Sequence, residues 1–251
     1  MMDYGKLVSE HIRVLPPSGI RKFFDIVSEM KDAISLGVGE PDFVTPWTVR
    51  EAGIYSLEKG HTHYSANAGI MELRQEISAY LSRKYGLEYD AKTETLVTVG
   101  GSEAIDLLFR AVIKEGDEVL VPEPSFVCYK PCAVMAGGAA VPIPTSEKDD
   151  FRLTADMLES KITERSKLLV LPYPNNPTGA IMKREDLEEI ARVVEKHNLF
   201  VLSDEIYSEL TYDGKHVSFA SIDGMWERTV TVNGFSKAYA MTGWRLGYAC
   251  G

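Results

Sequence analysis

From Pro46 onward, short runs of apolar residues alternate with longer segments in which apolar positions recur every three or four residues. Short apolar runs predict β-strands, and the longer spacing predicts amphipathic helices. Seven runs qualify as strands: residues 95–99, 118–121, 140–143, 168–171, 200–203, 229–232 and 246–250. Because strands alternate with helices, we predict βαβ units and an α/β fold with a largely parallel sheet.

The clearest helix candidates between these runs are residues 102–114 and 184–197. In the second, Leu187, Ile190 and Val194 fall on one face, as in a helix that packs on a sheet. Before Pro46, an amphipathic stretch at residues 20–30 is followed by an apolar run that ends in a Gly/Pro turn.

Composition narrows the class of function. Of the 251 residues, 45% are hydrophobic and 25% charged, as in ordinary globular proteins. The 37 acidic and 27 basic residues give a formal charge of −10, which argues against nucleic acid as a partner. The N-terminus lacks an apolar leader-like segment. A membrane-spanning helix is not predicted either, because the sequence contains no run of about 18 apolar residues. We therefore expect a cytoplasmic protein that does not bind membranes.

The sequence predicts no metal site. Cys128 and Cys132 lie one helical turn apart, and His61 and His63 are close in sequence. Neither pair has the additional metal-binding side chains nearby that would complete a site. With Cys250 the cysteines number three, which does not make a disulfide framework. Buried free thiols explain them better.

Lys237 is the most informative residue. It follows an apolar strand candidate, has small and hydroxylated neighbours, and precedes Arg245 by eight positions. A partly desolvated lysine beside another cation has a lowered pKa, so its free amine can attack a carbonyl near neutral pH and form a Schiff base. Arg245 would supply the positive charge that binds a phosphate group if the carbonyl compound carries one.

A Gly-Gly turn at Gly100 and Gly101 joins a strand candidate to a helix candidate that starts at Ser102. Glycines let the backbone approach an anion closely, and the unpaired N–H groups of a helix start attract it. The segment is either a phosphate cradle or a plain turn with Ser102 as the helix N-cap. The residues alone favour neither.

Two more polar segments follow apolar strands. Asp204 comes directly after the run 200–203, where open α/β sheets bind ligands, although a helix N-cap uses the same residue type. Asn176 begins the sequence Asn-Pro-Thr-Gly after the run 168–171, which by itself indicates only a turn. Tyr207 follows Asp204 by three positions.

In their order along the chain, these segments resemble the fold-type I pyridoxal phosphate (PLP) dependent aminotransferases of class I and II, the aspartate and aromatic aminotransferase family. The resemblance covers essentially the whole chain. It implies a three-layer αβα sandwich with a seven-stranded, mostly parallel sheet, in which residues 246–250 form the antiparallel strand. Residues 1–45 would be an N-terminal segment, comprising an arm and part of a small domain, and residues 46–251 the large PLP-binding domain.

The resemblance implies catalytic roles for Lys237, Asp204 and Tyr207 and a cofactor-binding role for Asn176. Lys237 would hold PLP as a Schiff base, and Asp204 would keep the pyridine nitrogen protonated. Asn176 and Tyr207 would donate hydrogen bonds to the 3-oxygen of the cofactor. Glu205 is a lesser candidate for the role of Asp204.

The resemblance also implies the phosphate contacts, which would come from Gly101, Ser102, Ser236 and Arg245. Relatives often have a serine three positions before the lysine, where this chain has Gly234. One hydroxyl contact to the phosphate would therefore be missing.

Three more positions match family motifs. Phe126 would stack on the pyridine ring. Tyr64 would reach the phosphate of the neighbouring subunit, which makes a homodimer part of the active site. The backbone of Gly39, in the loop Gly37-Val38-Gly39, would lie near the substrate carboxylate.

The implied activity is that of a transaminase (EC 2.6.1.-), which transfers an amino group between an amino acid and a 2-oxo acid. A PLP-dependent β-lyase or decarboxylase-like enzyme shares these motifs, and a PLP-binding chain without turnover is a further alternative. Family members continue well beyond the position of Gly251, so the chain resembles a fragment without the C-terminal part. The family arginine that binds the substrate carboxylate has no match here, and the amino acid donor is not identified by the motifs.

Two competing motifs carry little weight. Ser28 and Lys31 match the S-x-x-K pattern of serine acylating enzymes, but the accompanying motifs are missing. Gly37-Val38-Gly39 lacks the third glycine of a dinucleotide-binding fingerprint.

Overall fold

The computed structural model describes residues 4–17, 30 and 39–251. The chain forms two compact units, Met1–Phe43 and Val44–Gly251. The described part of the first unit contains a short helix, α1 (Glu10–Arg13). The predicted amphipathic stretch at 20–30, apart from Met30, lies outside the described residues, as do Ser28, Lys31, Gly37 and Val38.

The second unit is built on a seven-stranded sheet. In chain order its strands are β1 (Thr95–Thr98), β2 (Glu118–Glu123), β3 (Ala139–Pro144), β4 (Ser166–Leu171), β5 (Phe200–Asp204), β6 (Thr229–Gly234) and β7 (Gly247–Cys250). Their spatial order is β1-β7-β6-β5-β4-β2-β3. Strand β7 is antiparallel to both of its neighbours, and the other pairs are parallel. The seven strand predictions and the antiparallel orientation of the last one are confirmed.

Two helices of this unit precede β1, and the others lie between strands, as the alternating pattern predicts. They are α2 (Trp47–Glu58), α3 (Met71–Tyr85), α4 (Gly101–Val112), α5 (Tyr129–Met135), α6 (Ala155–Glu159), α7 (Arg184–Lys196) and α8 (Phe235–Ala238). Short 3₁₀ helices span Tyr4–Lys6 in the first unit and Glu147–Asp149, Ser208–Leu210, Phe219–Ser221, Trp226–Arg228 and Thr242–Trp244 in the second.

Both faces of the sheet are covered by helices, which makes the second unit a three-layer αβα sandwich. Successive side chains of a strand point to opposite faces. On β4, Leu169 belongs to a buried cluster with Ile190 of α7, whereas its neighbour Leu168 belongs to a different buried cluster with Phe109 of α4. Burial on both faces explains why the central strands are continuous apolar runs rather than alternating ones.

The sheet topology gathers three predicted residues at one edge. Strands β4, β5 and β6 are parallel, so their carboxyl ends meet on the same side. Asn176 follows β4, Asp204 ends β5, and Lys237 follows β6. Open α/β sheets bind their ligands at this edge.

Two further observations complete the fold. Among the described residues, no helix is long and apolar enough to cross a membrane. The three cysteines are free; Cys132 and Cys250 are buried, whereas Cys128 is only partly buried.

Candidate active site

Asp204 lies buried at the carboxyl end of β5, with 6% of its surface exposed. Its Oδ2 accepts a hydrogen bond from the hydroxyl of Tyr129 at 2.7 Å, and its Oδ1 accepts one from the backbone N–H of Ile206 at 3.2 Å. Burial raises the pKa of Asp204, and these two donors oppose that rise because they favour the ionised carboxylate. The site therefore holds a carboxylate with little contact to water.

Asn176, Tyr207 and Lys237 meet beside it. The side-chain amide of Asn176 donates a hydrogen bond to the Tyr207 hydroxyl at 3.4 Å. The Lys237 Nζ lies 5.6 Å from the centroid of the Tyr207 ring, within the range of a cation–π contact. Burial and the negative charge of Asp204 raise the pKa of Tyr207, which keeps its hydroxyl protonated and able to donate.

The segment that carries Lys237 is tied to the segment that follows Tyr207. Asn233 is buried near the end of β6, where its side-chain amide donates to the Ser208 hydroxyl at 3.0 Å and its Oδ1 accepts the N–H of Gly234 at 2.8 Å. These bonds place the start of α8 against the 3₁₀ helix at Ser208–Leu210. Sequence reasoning missed Asn233, although a buried amide just before the lysine is a signal for such a tie.

Gly234 shows why this chain lacks the serine that relatives often have there. Gly234 pairs with Gly247 of β7, and a Cβ at Gly234 would lie 3.0 Å from both the Gly247 Cα and the Leu246 carbonyl oxygen. That spacing is tighter than side chains normally tolerate. A serine at this position requires the two strands to move apart.

The predicted phosphate cradle lies at the start of α4. Gly100, with a φ of +77°, precedes the helix, and the first N–H groups of a helix lack intrahelical partners. A Cβ on Gly100 would overlap the Arg245 Nη2, so the guanidinium lies directly against this glycine. A Cβ on Gly247 would lie 2.6 Å from the Gly101 nitrogen, so this approach also requires glycine at 247. Two sources of positive potential converge here, which fits a phosphate ester.

The cradle adjoins the residues around Asp204. A Cβ built on Gly101 would lie 3.9 Å from the Ile206 Cδ1, and one built on Gly234 would lie 3.1 Å from the same atom. Ile206 thus stands between the start of α4, the end of β6 and the Asp204–Tyr207 segment. Ser236 is buried in α8, and Ser102 is exposed in the first turn of α4. Their contacts with a phosphate stay a prediction.

Phe126 is partly buried and packs edge-to-face on Tyr129, with ring centroids 6.2 Å apart. Tyr129 is the donor to Asp204, and sequence reasoning missed it. The available signal was the position of this tyrosine, three residues after Phe126. A tyrosine buried there needs a hydrogen-bond partner for its hydroxyl.

Glu205 is held by other groups. It is 1% exposed and accepts hydrogen bonds from the hydroxyls of Ser203 and Ser218 at 2.8 Å each and from the backbone N–H of Phe219 at 3.2 Å. Its other oxygen lies 2.9 Å from the His216 Nε2. With both oxygens engaged, Glu205 anchors the segment 216–219 to the sheet, and this makes it a poor substitute for Asp204.

Two predicted residues are not part of this arrangement. Tyr64 is fully exposed in the loop between α2 and α3. Gly39 belongs to the first unit, Met1–Phe43, so its role near the substrate stays a prediction.

Comparison with known proteins gives consistent matches. The model of the family described as Aminotransferase class I and II matches residues 31–251. The chain is 49% identical to an aspartate aminotransferase of Pyrococcus abyssi and 47% identical to aromatic-amino-acid aminotransferase 2 of Thermococcus litoralis, in each case over 96% of this chain and 62% of the relative. A solved structure of aspartate aminotransferase from Thermus thermophilus with maleate is 41% identical, with a TM-score of 0.92 over 97% of this chain and 64% of that one. The chain thus spans less than two thirds of the length of these relatives.

Proposed function

We propose that this chain, which belongs to the aminotransferase class I and II family, acts as a PLP-dependent aminotransferase that transfers an amino group between an amino acid and a 2-oxo acid. The observation that carries the proposal is the meeting of Lys237, Tyr207 and Asn176 beside the buried carboxylate of Asp204. PLP, when bound, supplies an electron sink that stabilises negative charge at the α-carbon of the substrate.

Each residue has a defined task in this proposal. The amine of Lys237 would hold the cofactor covalently and would also be the base that moves the α-proton of the substrate. Asp204 keeps a proton on the ring nitrogen, because a carboxylate favours the charged form of a neighbouring base. Asn176 and Tyr207 donate to the 3-oxygen.

The remaining residues bind and orient the cofactor. The cradle at Gly101 and Ser102 binds the phosphate through backbone N–H groups, aided by Ser236 and by Arg245, whose guanidinium can engage two oxygens at once. Phe126 packs on the ring face.

The names of the relatives guide the choice of substrate and reaction. Relatives are named for aspartate and for aromatic amino acids, so these are the donors to test first, with a 2-oxo acid as acceptor. The same names favour amino-group transfer over β-lyase or decarboxylase-like chemistry. Release of product from an amino acid without any acceptor would support those alternatives instead. The expected cytoplasmic location stays a prediction.

Attachment at Lys237 is tested chemically. Borohydride reduction of the PLP-loaded chain, followed by peptide mapping, should place the pyridoxyl group on Lys237. Lys130, an exposed lysine just after Tyr129, is the internal control and should stay unlabelled. A pyridoxyl group on another lysine would contradict the assignment, as would unchanged labelling of a Lys237→Ala variant.

We also propose that the active form is a homodimer in which Tyr64 acts on the neighbouring subunit. Tyr64 and the large apolar side chains Trp47, Tyr55 and Leu57 of α2 are exposed, which suits a surface covered by a second copy. Mixing a Tyr64→Ala chain with a Lys237→Ala chain tests this: a site shared between subunits regains function in the mixed dimer. If Tyr64 acts within its own subunit, the mixture gains nothing.

A further inference from the structure

Tyr129 and Asp204 form a buried contact between two distant parts of the chain. Tyr129 is the first residue of α5 and Asp204 the last of β5, and the two are 75 positions apart in the sequence. Their exposed fractions are 2% and 6%, and the Tyr129 Oη lies 2.7 Å from the Asp204 Oδ2. A hydrogen bond to a charged acceptor is stronger than one between neutral groups.

A second buried tyrosine shows that burial alone does not require a carboxylate partner. Tyr173 is buried to a similar extent, and its hydroxyl donates to the backbone carbonyl of Phe151 at 3.1 Å. Backbone carbonyls are the common partners of buried side-chain donors. Tyr129 instead donates to the one side chain that we assign to the cofactor's ring nitrogen.

The titratable groups around Asp204 bear on its charge. Burial and the negative charge of Glu205 raise the pKa of Asp204, whereas the Tyr129 hydroxyl and the Ile206 N–H lower it. Burial and Asp204 in turn raise the pKa of Tyr129, so its phenol stays protonated and donates. Cys128 and Tyr207 also interact electrostatically with Asp204.

We propose that Tyr129 is a positioning residue for Asp204: its hydroxyl holds the carboxylate in one orientation and in its ionised form, and thereby sets how firmly Asp204 keeps a proton on the cofactor's ring nitrogen. The inference rests on the proposed function for the identity of the cofactor. The action of Tyr129 on Asp204 itself does not depend on that identity. A carboxylate that loses its donor becomes a stronger base and draws the shared proton toward itself.

The first test uses the chain without cofactor. Infrared titration follows protonation of the Asp204 carboxyl, whose band is identified by its loss in Asp204→Asn. Tyr129→Phe should move the midpoint to higher pH, whereas Tyr173→Phe, which removes a buried hydroxyl elsewhere, should leave it unchanged. An unchanged midpoint in Tyr129→Phe would overturn the proposal.

The second test uses chain loaded with PLP labelled with ¹⁵N in the ring, and the nitrogen chemical shift reports protonation. Tyr129→Phe should move this shift toward the value of the unprotonated ring, and Tyr173→Phe should not. A parent chain that binds no PLP counts against the proposed function, and the infrared titration still decides the role of Tyr129. A parent with a protonated ring whose shift is identical in Tyr129→Phe counts against Tyr129 alone.

A second variant covers the case in which Tyr129→Phe does not fold. Site-specific 3-fluorotyrosine at position 129 keeps the ring and the hydroxyl but makes the phenol more acidic, which strengthens its donation. The Asp204 midpoint should then move to lower pH, opposite to the effect of phenylalanine. A merely structural role for Tyr129 predicts no shift with either substitution.

Discussion

Replacing Gly100 by alanine tests the phosphate cradle at its most constrained point. Gly100 has a φ of +77° and a ψ of 168°, a backbone region that only glycine adopts readily, so an alanine there costs about 1–3 kcal/mol of backbone strain. The added methyl group would also overlap the Arg245 Nη2 and lie 3.0 Å from its Cζ. We therefore expect the guanidinium to move away from the start of α4.

The magnitude follows from the contact that is lost. A hydrogen bond between charged groups contributes about 1.5–3 kcal/mol, so loss of one Arg245–phosphate bond should raise the Kd for PLP roughly 10-fold to 100-fold. The free energy of unfolding of the chain without cofactor should fall only by the backbone strain, about 1–3 kcal/mol.

Gly224 supplies a matched control. Its φ is +76°, and nothing lies within 4 Å of a Cβ placed there. Gly224→Ala should therefore also lower stability in urea unfolding, through backbone strain alone, but leave the Kd for PLP, measured by equilibrium dialysis, at the parent value. The difference between the two variants isolates the displacement of Arg245.

Two results would refute this reasoning. Equal PLP affinity in Gly100→Ala and Gly224→Ala would show that the Arg245 contact does not matter for phosphate. Because Gly100→Ala and Arg245→Ala act on the same contact, their combined loss of affinity should be smaller than the sum. Additive losses would mean that the two residues act separately.

Three further predictions concern other parts of the chain. Asp204→Asn should keep PLP bound but slow amino-group transfer roughly 100-fold to 1,000-fold, since an amide cannot hold the ring nitrogen protonated; near-parent turnover would make Asp204 structural. The hydroxyl of Thr163 holds the pKa of Glu118 below its ordinary value. The ionised carboxylate therefore stabilises the fold above its unfolded-state pKa, and this stabilisation is lost as the pH falls through its folded-state pKa. Glu118→Gln should therefore lower the free energy of unfolding at pH 7 by about 1–3 kcal/mol and by less below about pH 4, and an equal loss at both pH values would contradict this. Leu202→Ala, at a fully buried position of β5, should cost about 2–5 kcal/mol in urea unfolding, whereas Leu107→Ala, at a position that is 41% exposed, should cost about 0.5 kcal/mol or less; similar losses would contradict the assigned core.

Much of the fold was readable from local pattern. The run 168–171 predicts a strand, and β4 confirms it. The structure explains why apolar residues fill successive positions, because Leu168 and Leu169 are buried in different clusters. The apolar face of 184–197 likewise predicts α7. Such patterns survive in the fold because periodicity along the chain decides which side chains share a face.

The candidate site was readable only as separate segments. Asp204, Asn176 and Lys237 each follow an apolar strand, and parallel strands bring their carboxyl ends to one edge. The motif order and the family resemblance predicted their roles, but each segment alone is equally a turn or a helix cap.

What the sequence by itself determined is therefore the succession of strands and helices, together with the residue types available at the sheet edge. The tertiary structure decided the pairing of Tyr129 with Asp204, the placement of the Arg245 guanidinium on Gly100 and the anchoring role of Glu205. The physical reason is that periodicity and turn chemistry act over a few neighbouring residues. A hydrogen bond across 75 positions depends instead on the path of the whole chain, and only the assembled sheet brings its two ends together.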